Sequence, residues 1–98
     1  MKYRFHPEAH REFLCAVDYY ETCQPGLGLG FVEEIYSAIQ RILHFPSAWT
    51  QVSTNARRCL INRFPFGVIY SLSGDKIIIL AIMQLNRNPG YWHRRDKP

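Results

Sequence analysis

Apolar residues recur along this chain with two periods, and the change from one to the other separates helices from strands. The opening "KYRFH" (2–6) alternates and stops at Pro7, which predicts a short strand followed by a helix start. From Pro7 to about Cys23 the residues Phe13, Leu14, Val17 and Tyr20 fall at helical spacing, with Glu12, Asp18 and Glu21 on other faces. "QPGLGLG" (24–30) interrupts that helix. Its three glycines look like a phosphate-binding loop, but such a loop follows a strand, so a helix–helix turn is expected. A second helix is predicted from about Leu29 to His44, where Phe31, Ile35, Ala38 and Ile42 form one stripe, and Pro46 stops it.

The second half changes period. "RRCLINRF" (57–64) alternates, with Arg58, Leu60 and Asn62 on one face and Arg57, Cys59, Ile61 and Arg63 on the other. "FGVIYSL" (66–72) and "KIIILAIM" (76–83) are rich in strand formers, and Ser73-Gly74-Asp75 between them signals a hairpin. The continuous apolar run at 77–83 predicts a central strand covered on both faces for part of its length. The predicted order is β-α-α-β-β-β, an α+β fold. An N-terminal helical hairpin packs on one face of a small, mainly antiparallel sheet, as a single domain spanning 1–98.

Charge adds a direction to this picture. Residues 1–50 carry four Lys/Arg against six Asp/Glu, whereas residues 51–98 carry eight against two. That asymmetry points the C-terminal half at an acidic partner. The three cysteines have no CxxC spacing, so a disulfide framework is not expected and a reducing cytoplasm fits. The four histidines form no familiar ligand pattern with them, so neither a metal nor another cofactor is expected. No signal peptide and no membrane span are visible.

The segment "NRNPGYWHRR" (86–95) concentrates the candidate chemistry. It sets Tyr91 and Trp92 between Arg87 on one side and His93, Arg94 and Arg95 on the other. A solvated tail has no use for two large rings, and a core has no use for so many cations. Rings that stack on a base, beside guanidinium groups that hold phosphates, would use both. Trp92 has a structural alternative, since its ring also suits capping the edge of a core.

Together with "YRFHPEAHREFLCAVDYYE", "GLGLGFVEEIYSAI" and "RRCLINRFPFGVIY", the closing "ILAIMQLNRNPGYWHRR" resembles the RelE/ParE superfamily of toxins from bacterial type II toxin–antitoxin (plasmid stabilisation) modules. The resemblance implies a toxin that arrests growth and is neutralised by a cognate antitoxin. It implies one of two actions: ribosome-dependent cleavage of messenger RNA, as in RelE-like members, or inhibition of DNA gyrase without catalysis, as in ParE-like members. An inactive relic that only binds its antitoxin is a third reading. RelE-like cleavage is taken first here. It would be metal-independent, with the RNA 2′-hydroxyl as nucleophile.

On that reading Arg63 and Arg87 clamp the phosphate and Tyr91 donates a proton, while Arg57, Arg58, Gln84, Trp92, Arg94 and Arg95 contact nucleic acid or another target. The resemblance also marks a departure: Gln84 stands where relatives often carry a histidine, and an amide does not titrate. Tyr19, Tyr20 and Tyr36 on the helices are the expected antitoxin contacts, suited to an acidic, partly disordered peptide.

Overall fold

Helix α1 (Pro7–Cys23) starts where the pattern places it, for local reasons. Proline occupies the first turn, where its missing N–H costs nothing, and His6 Nδ1 accepts the Glu8 backbone N–H at 3.1 Å. Helix α2 (Leu27–His44) starts two residues earlier than the periodicity suggests, so Gly28 and Gly30 are helical. Gly26 turns the chain with φ 90°. The Glu21 carboxylate, reaching over from α1, accepts the backbone N–H groups of Gly26 and Gly28 at 3.1 Å. An internal carboxylate thus occupies the helix N-terminus that a phosphate loop would offer, and the segment is a turn between helices.

A Cβ at position 28 would lie 2.9 Å from the Val17 carbonyl oxygen, so the two helices cross at backbone contact. Gly28→Ala is therefore expected to destabilise by about 1–3 kcal/mol, against its gain in helix propensity, as urea unfolding would measure. An unchanged or raised midpoint would refute the close crossing.

The computed structural model describes residues 1–96. The strands are β1 (Lys2–Phe5), β2 (Thr50–Gln51), β3 (Ala56–Leu60), β4 (Phe66–Ser73) and β5 (Lys76–Gln84), and a 3-10 turn covers His93–Asp96. They form one sheet in the order β1-β5-β4-β3-β2, with β1 parallel to β5 and all other pairs antiparallel. The expected α+β hairpin-on-sheet architecture is observed, with the two-residue β2 added at the edge. No helix among the described residues is long and apolar enough to cross a membrane.

Two cores sandwich the sheet. On one face Phe13, Phe31, Ile35, Ala38 and Ile42 of the hairpin meet Cys59, Val68, Tyr70, Ile77, Ile79 and Ile82. On the other, Ala56, Ile69, Leu80, Ala81 and Met83 are covered by Trp92. Strand β5 serves both faces by alternation, and that alternation breaks once. Ile69 pairs with Ala81 and Tyr70 with Ile79, so Leu80 is an extra residue and both Leu80 and Ala81 join the second core.

The strand expected at 57–64 ends at Leu60. Arg63 lies in the turn that follows, with φ 71°, a left-handed conformation unusual for arginine.

Candidate binding site

Strand β1 is too short to cover β5, and the residues that take over its edge organise the site. The last backbone bond on that side is His6 N–H to the Ile79 carbonyl at 2.8 Å. Beyond it, Ile82 N–H donates to Glu12 Oε1 at 3.0 Å, and Arg95 Nη1 donates to the Leu80 carbonyl at 3.1 Å. Arg95 also makes a two-pronged pair with Glu12, Nη1 to Oε1 at 2.9 Å and Nη2 to Oε2 at 3.1 Å. One ion pair therefore satisfies backbone groups that a neighbouring strand would otherwise bind. It also holds the C-terminal segment on the sheet.

The rings of that segment turn inward. Trp92 is 1% exposed and belongs to the second core. Tyr91 lies under two guanidinium groups, Arg87 at 3.8 Å and Arg95 at 5.0 Å from its ring centre. Its hydroxyl is buried, with no hydrogen-bond partner among the described residues. Burial first, and then the Glu12 carboxylate, push this phenol well above its ordinary range. Tyr70, whose hydroxyl donates to the Pro46 carbonyl, is pushed up to about 12, chiefly by burial.

Both phenols are harder to ionise in the folded chain than in the unfolded one. Their contribution to stability is complete below about pH 10 and is lost as pH rises beyond it toward the folded values. Thermal unfolding is expected to fall steeply above about pH 10, and Tyr91→Phe to flatten that fall. An identical alkaline profile for the variant would contradict this assignment.

These positions revise three expected roles. Trp92 is a core residue and offers no ring to a target. Arg95 is committed to Glu12, with side-chain exposures of 12% and 16% for the pair. Tyr91 has its hydroxyl enclosed and its pKa raised, which unsuits it as a proton donor to substrate.

Arg63 and Arg87 do not converge. The Arg63 guanidinium lies against Gly30 of α2 and 5.4 Å from the centre of the Phe64 ring, whereas Arg87 faces Tyr91 and Glu12 Oε2, the latter at 3.6 Å. The reason is the early end of β3, which turns Arg63 toward the helices.

Other expected contacts scatter as alternation predicts. Arg57 lies on the helix face and donates to the Trp49 carbonyl at 2.8 Å, while Arg58 lies on the tail face beside Gly67. Arg94 is exposed on the 3-10 turn.

What does come together is a groove of about 660 Å³ between α1 and the ends of β4 and β5. Tyr19, Tyr20 and Phe66 supply aromatic wall, Cys15 and Ala16 its floor on α1, and Gln84 and Arg87 its polar rim beside Glu12. Arg87, at 53% side-chain exposure, keeps its charge largely available. Tyr36 is not part of this groove; it packs edge-on to Phe13, with ring centres 6.0 Å apart.

Glu12 was not singled out from sequence. Its only local signal is that it flanks the buried Phe13 on α1, and its partner Arg95 lies 83 residues away.

The fold, a helical hairpin laid on one face of a mainly antiparallel sheet, is one that the chain shares with a solved structure. That structure is a chain from the "Chromosomal ParDE TA system from P. aeruginosa". It matches with a TM-score of 0.76 at 19% identity, over 88% of this chain and 97% of that one. No protein-family model matches the chain, and no curated protein matches it in sequence.

Proposed function

We propose that this protein is the toxin of a type II toxin–antitoxin module and that it acts by binding DNA gyrase, without cutting RNA. The observation that carries the choice between the two actions is the seating of the tail. Cleavage by way of the RNA 2′-hydroxyl asks for a proton shuttle and converging cations on an open surface. Here Trp92 is buried, the Tyr91 hydroxyl is enclosed, Arg95 is spent on Glu12, and Arg63 and Arg87 face different partners. Gln84, on the groove rim, cannot titrate. Missing acid–base help alone costs about 10²–10⁴ in rate. The shared fold with a chain of a ParDE system supports the same reading.

The groove suits the antitoxin. Its aromatic wall offers burial to an amphipathic peptide, and Arg87 offers a charge to an acidic one. Binding is expected to weaken as salt rises, and Arg87→Ala to cost about 1 kcal/mol at low salt with a shallower salt dependence. Affinity independent of salt would remove charge neutralisation from the account.

Cell-free translation run beside a supercoiling assay tests the target. The expected result is stalled supercoiling with an intact message. Message cut inside the ribosome, with gyrase unaffected, would overturn the proposal in favour of RNA cleavage. Normal growth after induction of the gene alone would overturn the toxin reading itself.

A further inference from the structure

A second cavity, of about 340 Å³, lies on the opposite face of the sheet, between the strands and the returning tail. Among the described residues its walls hold hydrogen-bond donors and no carboxylate. Arg58 enters from β3, half-buried, and makes no ion pair or hydrogen bond with any described residue; its Nε is buried and unpaired. Trp92 Nε1, in a side chain 1% exposed, is likewise buried and unpaired. His93 stacks on the Trp92 ring with centres 4.3 Å apart. Buried donors are ordinarily matched by acceptors, so donors gathered without one mark a place where a ligand supplies it.

The backbone makes room for this arrangement. A Cβ at position 67 would lie 3.1 Å from Arg58 Cγ and 3.3 Å from its Cδ, so only glycine lets the arginine lie across β4 without displacement. A half-buried arginine whose Nε is buried and has no partner among the described residues also opposes folding. Packing alone would favour an apolar residue there.

We infer that this cavity binds a small phosphomonoester, with Arg58 gripping the phosphate and the wall of Ile69, Met83 and Pro89 enclosing its organic group. A guanidinium fork matches phosphate oxygens in pairs. His93 stands in the same walls for the remaining oxygens, and the unpaired indole N–H of Trp92 borders them. The cavity is larger than a bare phosphate needs, and its apolar wall selects for an attached group. None of these residues lines the groove between α1 and β5, so the inference stands or falls independently of the toxin reading.

Titration calorimetry on the whole chain tests it, with inorganic phosphate, phenyl phosphate and a short oligoribonucleotide as probes. Phenyl phosphate is expected to bind at least tenfold more tightly than inorganic phosphate. Arg58→Met is expected to abolish that binding while unfolding at the same temperature as the parent or higher. His93→Gln, at an exposed position where folding is not at issue, is expected to weaken it several-fold. Absence of phenyl phosphate binding, equal binding of the two phosphates, or undiminished binding by Arg58→Met would overturn the proposal. An oligoribonucleotide held through Arg58 with phenyl phosphate unbound would overturn it in favour of a polymer.

Discussion

Trp92→Ala is expected to destabilise the protein by about 3–5 kcal/mol, the largest loss of any single substitution in the tail. The ring is 1% exposed and closes a core made by Ala56, Ile69, Leu80, Ala81 and Met83. Those residues sit on hydrogen-bonded strands, which cannot collapse into the space an indole leaves. The short segment 88–92 holds Trp92 by turns such as Tyr91 N–H to the Asn88 carbonyl, and it has no second anchor of that size. Denaturant unfolding measures the loss directly, and a chain of this length shifts its thermal midpoint by about 4–8 °C for each kcal/mol. A loss within about 0.5 kcal/mol would show that the indole behaves as a surface residue and would return it to the candidates for target contact.

Glu12→Ala is expected to cost about 3 kcal/mol, a value typical of breaking a buried pair from one side. The carboxylate holds Arg95 by two bonds, accepts Ile82 N–H and lies 3.6 Å from Arg87. Its removal leaves a guanidinium that is 12% exposed without a counter-charge and a strand N–H without an acceptor. Because Arg95 tethers the tail, the Glu12 and Arg95 variants are coupled. A double-mutant cycle between Glu12→Ala and Arg95→Ala should return an interaction of about 1–3 kcal/mol. Additive effects would mean that the two side chains stabilise the fold separately and that the tail needs no ionic anchor.

Much of the architecture was legible because its causes are local. The stripe Phe31, Ile35, Ala38, Ile42 specifies a helix, and Pro7 and Pro46 bound the hairpin's outer ends. Alternation correctly put Arg57 and Arg58 on opposite faces, each keeping the side that its register with Tyr70 and Ile69 requires. Three features escaped. The two-residue β2 carries no periodicity to detect. The bulge at Leu80 and Ala81 is invisible in a run of uniformly apolar residues. The end of β3 at Leu60 leads into a left-handed turn at an arginine, where a glycine would have announced it.

The candidate site was legible only in its parts. Tyr19, Tyr20, Gln84 and Arg87 do meet in one groove, but Cys15, Phe66 and Glu12 were not anticipated there. For the tail, composition admitted both a ligand-stacking tryptophan and a core tryptophan, and packing chose the second.

The order of residues by itself determined which segments form helices and strands and which sides of them are apolar, since those depend on neighbours one turn or two residues away. It also determined that the C-terminal half is basic. Only the folded chain decided which cations remain free, because that depends on a carboxylate at position 12 meeting an arginine 83 residues later. The attraction between them is strengthened where α1, the open edge of β5 and the returning tail exclude water, and it must offset the cost of desolvating both charges, conditions no local pattern records.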